Sequence, residues 1–360
     1  MMVSATTSLD EYLRKRLMPV EGAIPQLDGI EMYGNSIPVG TVGGDLFEYI
    51  NFQQRYNIDA RIANANRLAQ EYLRPLADKA AAPRNEVDAH VQWLAARPGY
   101  SPEEAAQYRK AKSSEQLRIA ENLQELHTTA GVLLVDAQGH GVIAAKIAST
   151  VHDTFHAFML AELDQKGQVT TEFFDKVNLR LAQSVTAKNA LGKSTENNSR
   201  ELATMLYGEV RPYGGFRFVN FGHPPPLVFS AKFERFMEID KLRMVQFLSL
   251  GLEIPEDHPD RNRYVSMKLR KRRIQPSDMA HITLMGRGDI LFLHTDGIYD
   301  GMDEEEQARI EQIVKVNKNR SAKEICNAIL AHAVQADRHL RQISESDRID
   351  DKTVFIIKRV

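Results

Sequence analysis

Four short acidic segments spread over three hundred residues constrain the fold of this chain more than any other feature. They read Gly43-Gly44-Asp45-Leu46-Phe47-Glu48, Asp136-Ala137-Gln138-Gly139-His140-Gly141, Thr295-Asp296-Gly297 and Asp350-Asp351-Lys352-Thr353. Three of them touch an apolar run of strand length, and glycine or another turn residue flanks the acids. Between them lie long stretches with helical spacing. Strand clusters interleaved with amphipathic helices predict either two packed sheets flanked by helices or one mixed sheet with helices outside.

The remaining elements follow from local chemistry. A short helix is expected near Leu9–Leu17, and strands at 30–33 and 44–49, separated by the turn signals Gly34-Asn35-Ser36 and Pro38. Residues 58–128 are rich in Ala, Leu, Glu, Arg and Gln, and Pro75, Pro83 and Pro98-Gly99 divide them into two to four helices. Ser101-Pro102-Glu103-Glu104 has the form of a capping box with proline at the first helical position. The spacing of Leu117, Ile119, Leu123 and Leu126 predicts one buried face beyond it. Strands are expected at 131–135, 215–222, 227–229, 290–294 and 353–357, with helices at 143–163, 170–187, 305–316 and 322–336. The prolines of His223-Pro224-Pro225-Pro226 read as a rigid turn between neighbouring strands. The chain is expected to form one domain over 1–360, with a helical lead at 1–24 and an all-helical insertion at 58–128.

Composition narrows the function classes. In 360 residues, 46 Lys and Arg oppose 48 Asp and Glu, for a net charge of −2, so no basic field favours nucleic acid. The basic run Lys268–Arg273 reads as a solvated strand or loop face, with attraction of an acidic partner or a nucleotide as the alternative. A single cysteine, Cys326, excludes an intrachain disulfide and argues against a thiolate zinc site; its expected role is that of a small buried hydrophobe. Asp10, Glu11, Arg14, Lys15 and Arg16 interrupt the first thirty residues, so no signal peptide is expected. No apolar stretch nears the about 20 residues that cross a bilayer. The expectation is a cytoplasmic protein without an integral membrane segment.

The acids carry the chemistry. Carboxylates gathered from strand ends and turns, with little thiol or imidazole among them, suit hard ions such as Mg²⁺ or Mn²⁺. Like charges brought together repel and raise one another's pKa, and a divalent ion keeps them ionised. Gly139 and Gly141 leave room beside Asp136, and the helix that follows offers its N-terminal amides to an anion. A structural strand-end turn explains these glycines equally well. Asp300, behind Asp296, is a weaker ligand candidate. His140 has two readings, a proton donor to a leaving oxygen or a donor supporting the site. His223, beside the prolines, is expected to shape the turn.

Together these residues resemble the bacterial PP2C-like (PPM) serine phosphatases of the SpoIIE/RsbU type, from about Pro25 to the C-terminus. The resemblance rests on Val42 to Glu48, Asp136 to Gly141, Asn220-Phe221-Gly222-His223-Pro224-Pro225-Pro226, Gly288-Asp289 with Thr295-Asp296-Gly297, and Asp350 to Thr353. It implies an α+β fold, a four-layer αββα sandwich carrying the helical insertion after its first strands. It also implies two Mn²⁺ or Mg²⁺ ions. By this resemblance Asp136 bridges the ions, the Ala137 carbonyl ligates one, and Asp296 and Asp350 complete the set. Asp45 and Glu48 hold or orient waters, with Asp351 in support, and the catalytic residues are Asp136, Asp45 and His140. The implied substrate is a phosphoserine or phosphothreonine protein, commonly an anti-sigma-factor antagonist.

Departures from the family pattern are Glu48 in place of aspartate, Val135 in place of the usual glycine, and the helical block between the first two motifs. That block is the expected seat of regulation, partner binding or homodimerisation. The competing readings are a weak or inactive partner-binding protein on the same fold and a phosphatase of small metabolites or nucleotides.

Overall fold

The computed structural model describes residues 24–74, 82–97, 99, 101–190, 202–237, 239, 246–251, 279–298, 304–342 and 349–360. The helix expected near 9–17, Asp300 and the basic run 268–273 lie outside them.

Two compact units divide the chain. The first comprises the described residues up to Asn51, Thr129–Phe158 and Thr171–Val360; the second comprises Phe52–Thr128 and Met159–Thr170.

The first unit holds both sheets. In the five-stranded sheet, β1 (Ile30–Ile37), β11 (Lys352–Arg359), β10 (Ile290–His294), β6 (Leu227–Ser230) and β7 (Arg235–Met237) lie in that order, all neighbours antiparallel. The other sheet runs β2 (Asp45–Asn51), β3 (Ala130–Ala137), β4 (Ala203–Arg211), β5 (Gly215–Phe221) and β8 (Gln246–Phe247), with β9 (Ala280–Thr283) also on β5. Inward side chains from both sheets form one core: Met32, Leu291, Leu293, Phe355 and Ile357 from the first meet Phe47, Tyr49, Val132, Leu134, Leu206 and Phe218 from the second. The outer face of the five-stranded sheet is covered by the helices Glu304–Asn317 and Ala322–Gln342. There Ile310, Val314, Ile325, Cys326 and Ile329 bury Ile290, Phe292, Val354 and Ile356. Cys326 fills the expected role, fully buried with its thiol on the Val354 carbonyl. Across the other sheet, Phe155 of the helix Gly141–Lys166 and Phe174 of the helix Thr171–Ala190 pack with Tyr207, and Phe173 packs edge-on against Phe155. The layers are therefore helix, sheet, sheet, helix.

The triproline segment does something other than expected. It leads from β5 in one sheet to β6 in the other, rather than turning between paired neighbours. Asn220 fixes its start, accepting from the His223 amide and donating to the His223 carbonyl, both at 2.8 Å.

The second unit is helical: Phe52–Tyr56, Ile58–Leu73, Glu86–Ala95 and Pro102–Glu125. The capping box forms as read, with the Glu104 amide on Ser101 Oγ and the Ser101 amide on the Glu104 carboxylate. Ile119, Leu123 and Leu126 are buried, but Leu117 is 45% exposed, because it lies two positions before Ile119 and so rotates off the buried face. No described helix is long and apolar enough to cross a membrane.

Candidate functional site

Antiparallel pairing gathers the acidic segments at one end of the facing sheets. Asp45 opens β2 and Asp136 nears the end of β3, and the two are register partners. On the opposite sheet β10 ends at His294 opposite Val354, so Thr295-Asp296 and Asp350-Asp351 flank the same strand ends. Four motifs spread over three hundred residues thus reach one location.

Close backbone approach shapes this end. A Cβ on Gly43 would lie 2.5 Å from the Asp351 carboxylate, and one on Gly44 would lie 2.6 Å from the Ala137 carbonyl. Only glycine admits both contacts. Asp351 uses the space gained: its carboxylate accepts from the Val39 amide at 2.7 Å and the Gly44 amide at 2.6 Å. It serves as a clamp between the β1–β2 connection and the start of β11. Asp45 accepts from the hydroxyls of Thr295 (2.6 Å) and Thr353 (2.8 Å), which tie the two sheets together across the site.

The electrostatics are those of crowded acids. Burial pushes Asp45 up to about 8, with Asp351 and Asp296 adding to the rise against the two threonine hydroxyls. Asp136 is pushed up to about 9, by burial first and then by Asp45, Asp296 and Asp350, and it shares a hydrogen bond with Asp296. Asp350 is also raised, chiefly by burial. The donors are all oxygens, hard and anionic, and a divalent cation among them would offset both burial and repulsion. The residues therefore fit a hard metal ion.

Around this cluster, Gly139 and Gly141 adopt φ of +87° and +77° with open space beyond them, and His140 between them is exposed. Beside Asp350 a cavity of about 210 Å³ is lined by Ile37, Pro38, Val39, Val334, Asp337, Arg338 and Lys352. His223 and His294 are fully buried, and burial lowers them to about 3 and about 4, so both are neutral near pH 7. His223 Nδ1 pairs with Thr204 Oγ1 at 2.7 Å, so the ring reaches β4, while the turn itself is held by Asn220 through the His223 backbone.

Glu48 lies elsewhere. Three residues beyond Asp45 on an extended strand, it faces the opposite side of the sheet. Its Oε2 meets His156 Nε2 at 2.6 Å and His152 Nε2 at 3.1 Å, both on the helix Gly141–Lys166. These three residues bring one donor atom each to within 4.8 Å of one another and form a candidate metal-binding group; among the described residues no other group of three meets that spacing. The reading of the acidic motifs missed the two histidines. Their i, i+4 spacing was the available signal, since it aligns two side chains on one helical face.

Residues 127–268 and 275–360 match the family model described as stage II sporulation protein E (SpoIIE). The match includes Asp136, Asp296 and Asp350 but begins after the Asp45 motif and most of the helical block. No curated protein matches the chain. Among solved structures, the RsbU and RsbW domains of a Mycobacterium tuberculosis protein align at 15% identity and TM-score 0.48, covering 94% of this chain and 62% of that one. The PP2C phosphatase domain of SpoIIE from Bacillus subtilis, with a fragment of its regulatory domain, aligns at 12% and 0.45, covering 93% and 64%. The SiaA PP2C domain of Pseudomonas aeruginosa aligns at 12% and 0.45, covering 91% and 85%. The chain thus spans under two thirds of the first two structures.

Proposed function

This chain belongs to the SpoIIE family of PP2C-like proteins, and on that premise we propose that it is a metal-dependent protein serine/threonine phosphatase. The observation that carries the reading is the convergence of Asp45, Asp136, Asp296 and Asp350 at one end of two facing sheets. Buried acids that raise one another's pKa are costly unless a cation is their purpose.

Asp136, Asp296 and Asp350, with the Ala137 carbonyl, would hold two Mn²⁺ or Mg²⁺ ions. Bound there, such ions neutralise phosphoryl oxygens and make a water more acidic. The chain's own groups do the rest. Asp45, fixed by Thr295 and Thr353, is placed to orient a water beside Asp136. Asp351 holds the β1–β2 connection against β11 and keeps the opening at a set width. The open backbone from Gly139 to Gly141 leaves space for a phosphate at the start of the following helix, whose amides favour an anion. His140, exposed at this edge, would donate a proton to a departing seryl or threonyl oxygen.

Two features favour a protein substrate over a metabolite. Val142 and Ile143, next to the phosphate opening, are 49% and 76% exposed, an apolar rim suited to a polypeptide. The cavity that Asp350 lines also carries Arg338, a cation for an acidic side chain, while its Lys352 is paired with Asp337. An anti-sigma-factor antagonist is the proposed partner class, and the helical unit is the proposed regulatory element.

The test is hydrolysis of an aryl phosphate and of a phosphoserine peptide as Mn²⁺ and Mg²⁺ are titrated, with Asp136→Asn alongside. Metal-dependent turnover lost in the variant supports the reading. Absence of turnover of either compound with both metals would leave a partner-binding protein, and preference for nucleotides over the peptide would indicate a metabolite phosphatase.

A further inference from the structure

We propose that Glu48, His152 and His156 form a second metal site, for one borderline transition ion of the Zn²⁺ type, on the helix side of the sheet and separate from the carboxylate cluster. It stands whether or not the phosphatase reading does.

The donor set differs in kind from the carboxylate cluster. Two imidazole nitrogens and one carboxylate suit Zn²⁺, Co²⁺ or Fe²⁺, whereas Mg²⁺ prefers oxygen alone. The i, i+4 spacing of His152 and His156 aligns both rings on one face of the helix, the arrangement by which a single helix presents two histidines to zinc. The rings stand 4.4 Å apart at 65°, and their Nε2 atoms converge on one oxygen, Glu48 Oε2, at 3.1 and 2.6 Å. Ligands of a tetrahedral zinc, with bonds of about 2.05 Å, lie about 3.3 Å from one another. The two imidazole–carboxylate distances are thus within about an ångström of that spacing, and all three donors lie within 4.8 Å of one another.

The surroundings are those of a built site. Side-chain exposures are 1% for Glu48, 10% for His152 and 12% for His156. Behind His152, the Asp153 carboxylate lies 3.1 Å from Nδ1. A carboxylate there holds the proton on Nδ1 and leaves the Nε2 lone pair aimed at the cluster, the usual support for a metal-binding histidine. Phe155, between the two histidines in sequence, packs edge-on against His156 at 5.2 Å and limits its rotation.

A location follows. Glu48 and Asp45 share β2 but face opposite sides of it, so an ion on Glu48 would brace, from behind, the strand that carries Asp45. With three protein ligands rather than the four of a closed structural site, such an ion would keep one position open to water or another ligand.

The experiment uses the full chain, stripped with chelator and titrated with Co²⁺ in excess Mg²⁺, reading the visible d–d absorption and the metal content. One equivalent of Co²⁺ is expected, displaced by Zn²⁺ but not by Mg²⁺. The signal should persist in Asp136→Asn and weaken at least tenfold in affinity in His152→Gln and in His156→Gln. X-ray absorption on Zn²⁺-loaded wild type keeps the test independent of how the variants fold, and two imidazoles around the ion are expected. Absence of Co²⁺ binding, loss of the signal in Asp136→Asn with survival in both histidine variants, or an all-oxygen zinc environment would each overturn the proposal. The first of these would leave a hydrogen-bonded histidine–carboxylate cluster.

Discussion

Asp45 and Asp136 stand opposite each other on adjacent antiparallel strands, register partners at the one end of the sheet where β2 begins and β3 nears its end. Directly opposed like charges destabilise a strand pair. Here they are also buried, and both carboxyls are pushed well above the usual range. A ladder that places two acids side by side fits the proposed ions, which Asp136 would hold while Asp45 orients a water beside it.

Replacing one of the pair separates function from stability. Asp136→Asn should lower metal-dependent turnover roughly 10²–10³-fold or more. In chelator at pH 9 the same variant should melt above wild type, because the amide removes a charge that Asp45, Asp296 and Asp350 repel. Thermal melts beside rate assays check both, and a variant that melts lower than wild type at pH 9 contradicts the account.

The pH profile should change shape with metal. Asp45 and Asp136, raised from 3.8 to about 8 and about 9, bind protons in the folded state that the unfolded chain has released. Without metal their contribution to stability is therefore lost as pH rises from about 4 through 8 to 9. His223 and His294, lowered from 6.5 to about 3 and about 4, act with the opposite slope: the unfolded state takes up protons first, so stability falls as pH drops below 6.5. Chelated protein should be nearly flat between pH 4 and 6.5, where the two effects oppose, and weaken above 6.5. Mn²⁺ competes with the protons on the acids, so its stabilising shift in Tm should grow from pH 6 to pH 9. A metal-induced shift that shrinks over that range rules this out.

Gly43→Ala tests the clamp without touching an acid. Its Cβ would meet the Asp351 carboxylate at 2.5 Å, displacing it from the Val39 and Gly44 amides. A stability cost of about 1–3 kcal/mol is expected, together with weaker Mn²⁺ activation. Denaturant unfolding and metal titration of rate measure the two effects, and unchanged Mn²⁺ dependence would mean that Asp351 has no part in holding the site.

Arg338→Ala separates classes of substrate. If the cavity beside Asp350 receives a substrate side chain, KM for an acidic phosphopeptide should rise about tenfold, as for one lost charge-assisted hydrogen bond. Kinetics with a small aryl phosphate should stay as in wild type. Equal effects on both compounds would remove the cavity from peptide recognition.

Ser101→Ala examines the helical unit alone. Loss of the hydroxyl that accepts from the Glu104 amide should cost about 1 kcal/mol. Amide exchange should quicken near the start of Pro102–Glu125, while turnover of an aryl phosphate should hold. A fall in turnover would instead tie this helix to the activity.

Most of the elements were legible because their signals are local. The capping box at Ser101 needs four consecutive residues, and β10 and β11 announce themselves as apolar runs bounded by turn residues and acids. The misreadings concern relations between elements. Leu117 looked like part of an apolar face until the helical phase set by Ile119 and Leu123 turned it outward. The prolines after His223 read as a turn between neighbours, whereas which sheet receives β6 is decided by its pairing with β10, sixty residues away.

The sequence by itself determined the strand-end acids, the glycines that let backbone approach them, and the helices that cover the sheets, because each follows from side-chain chemistry over a few residues. Only the tertiary structure decided the partner of each acid. Asp45 and Glu48 belong to one short motif, yet the alternation of an extended strand sends Asp45 between the sheets to Thr295 and Thr353, and sends Glu48 outward to His152 and His156. A one-dimensional pattern holds the spacing of charges; which face meets which neighbour is set by how the sheets and helices pack.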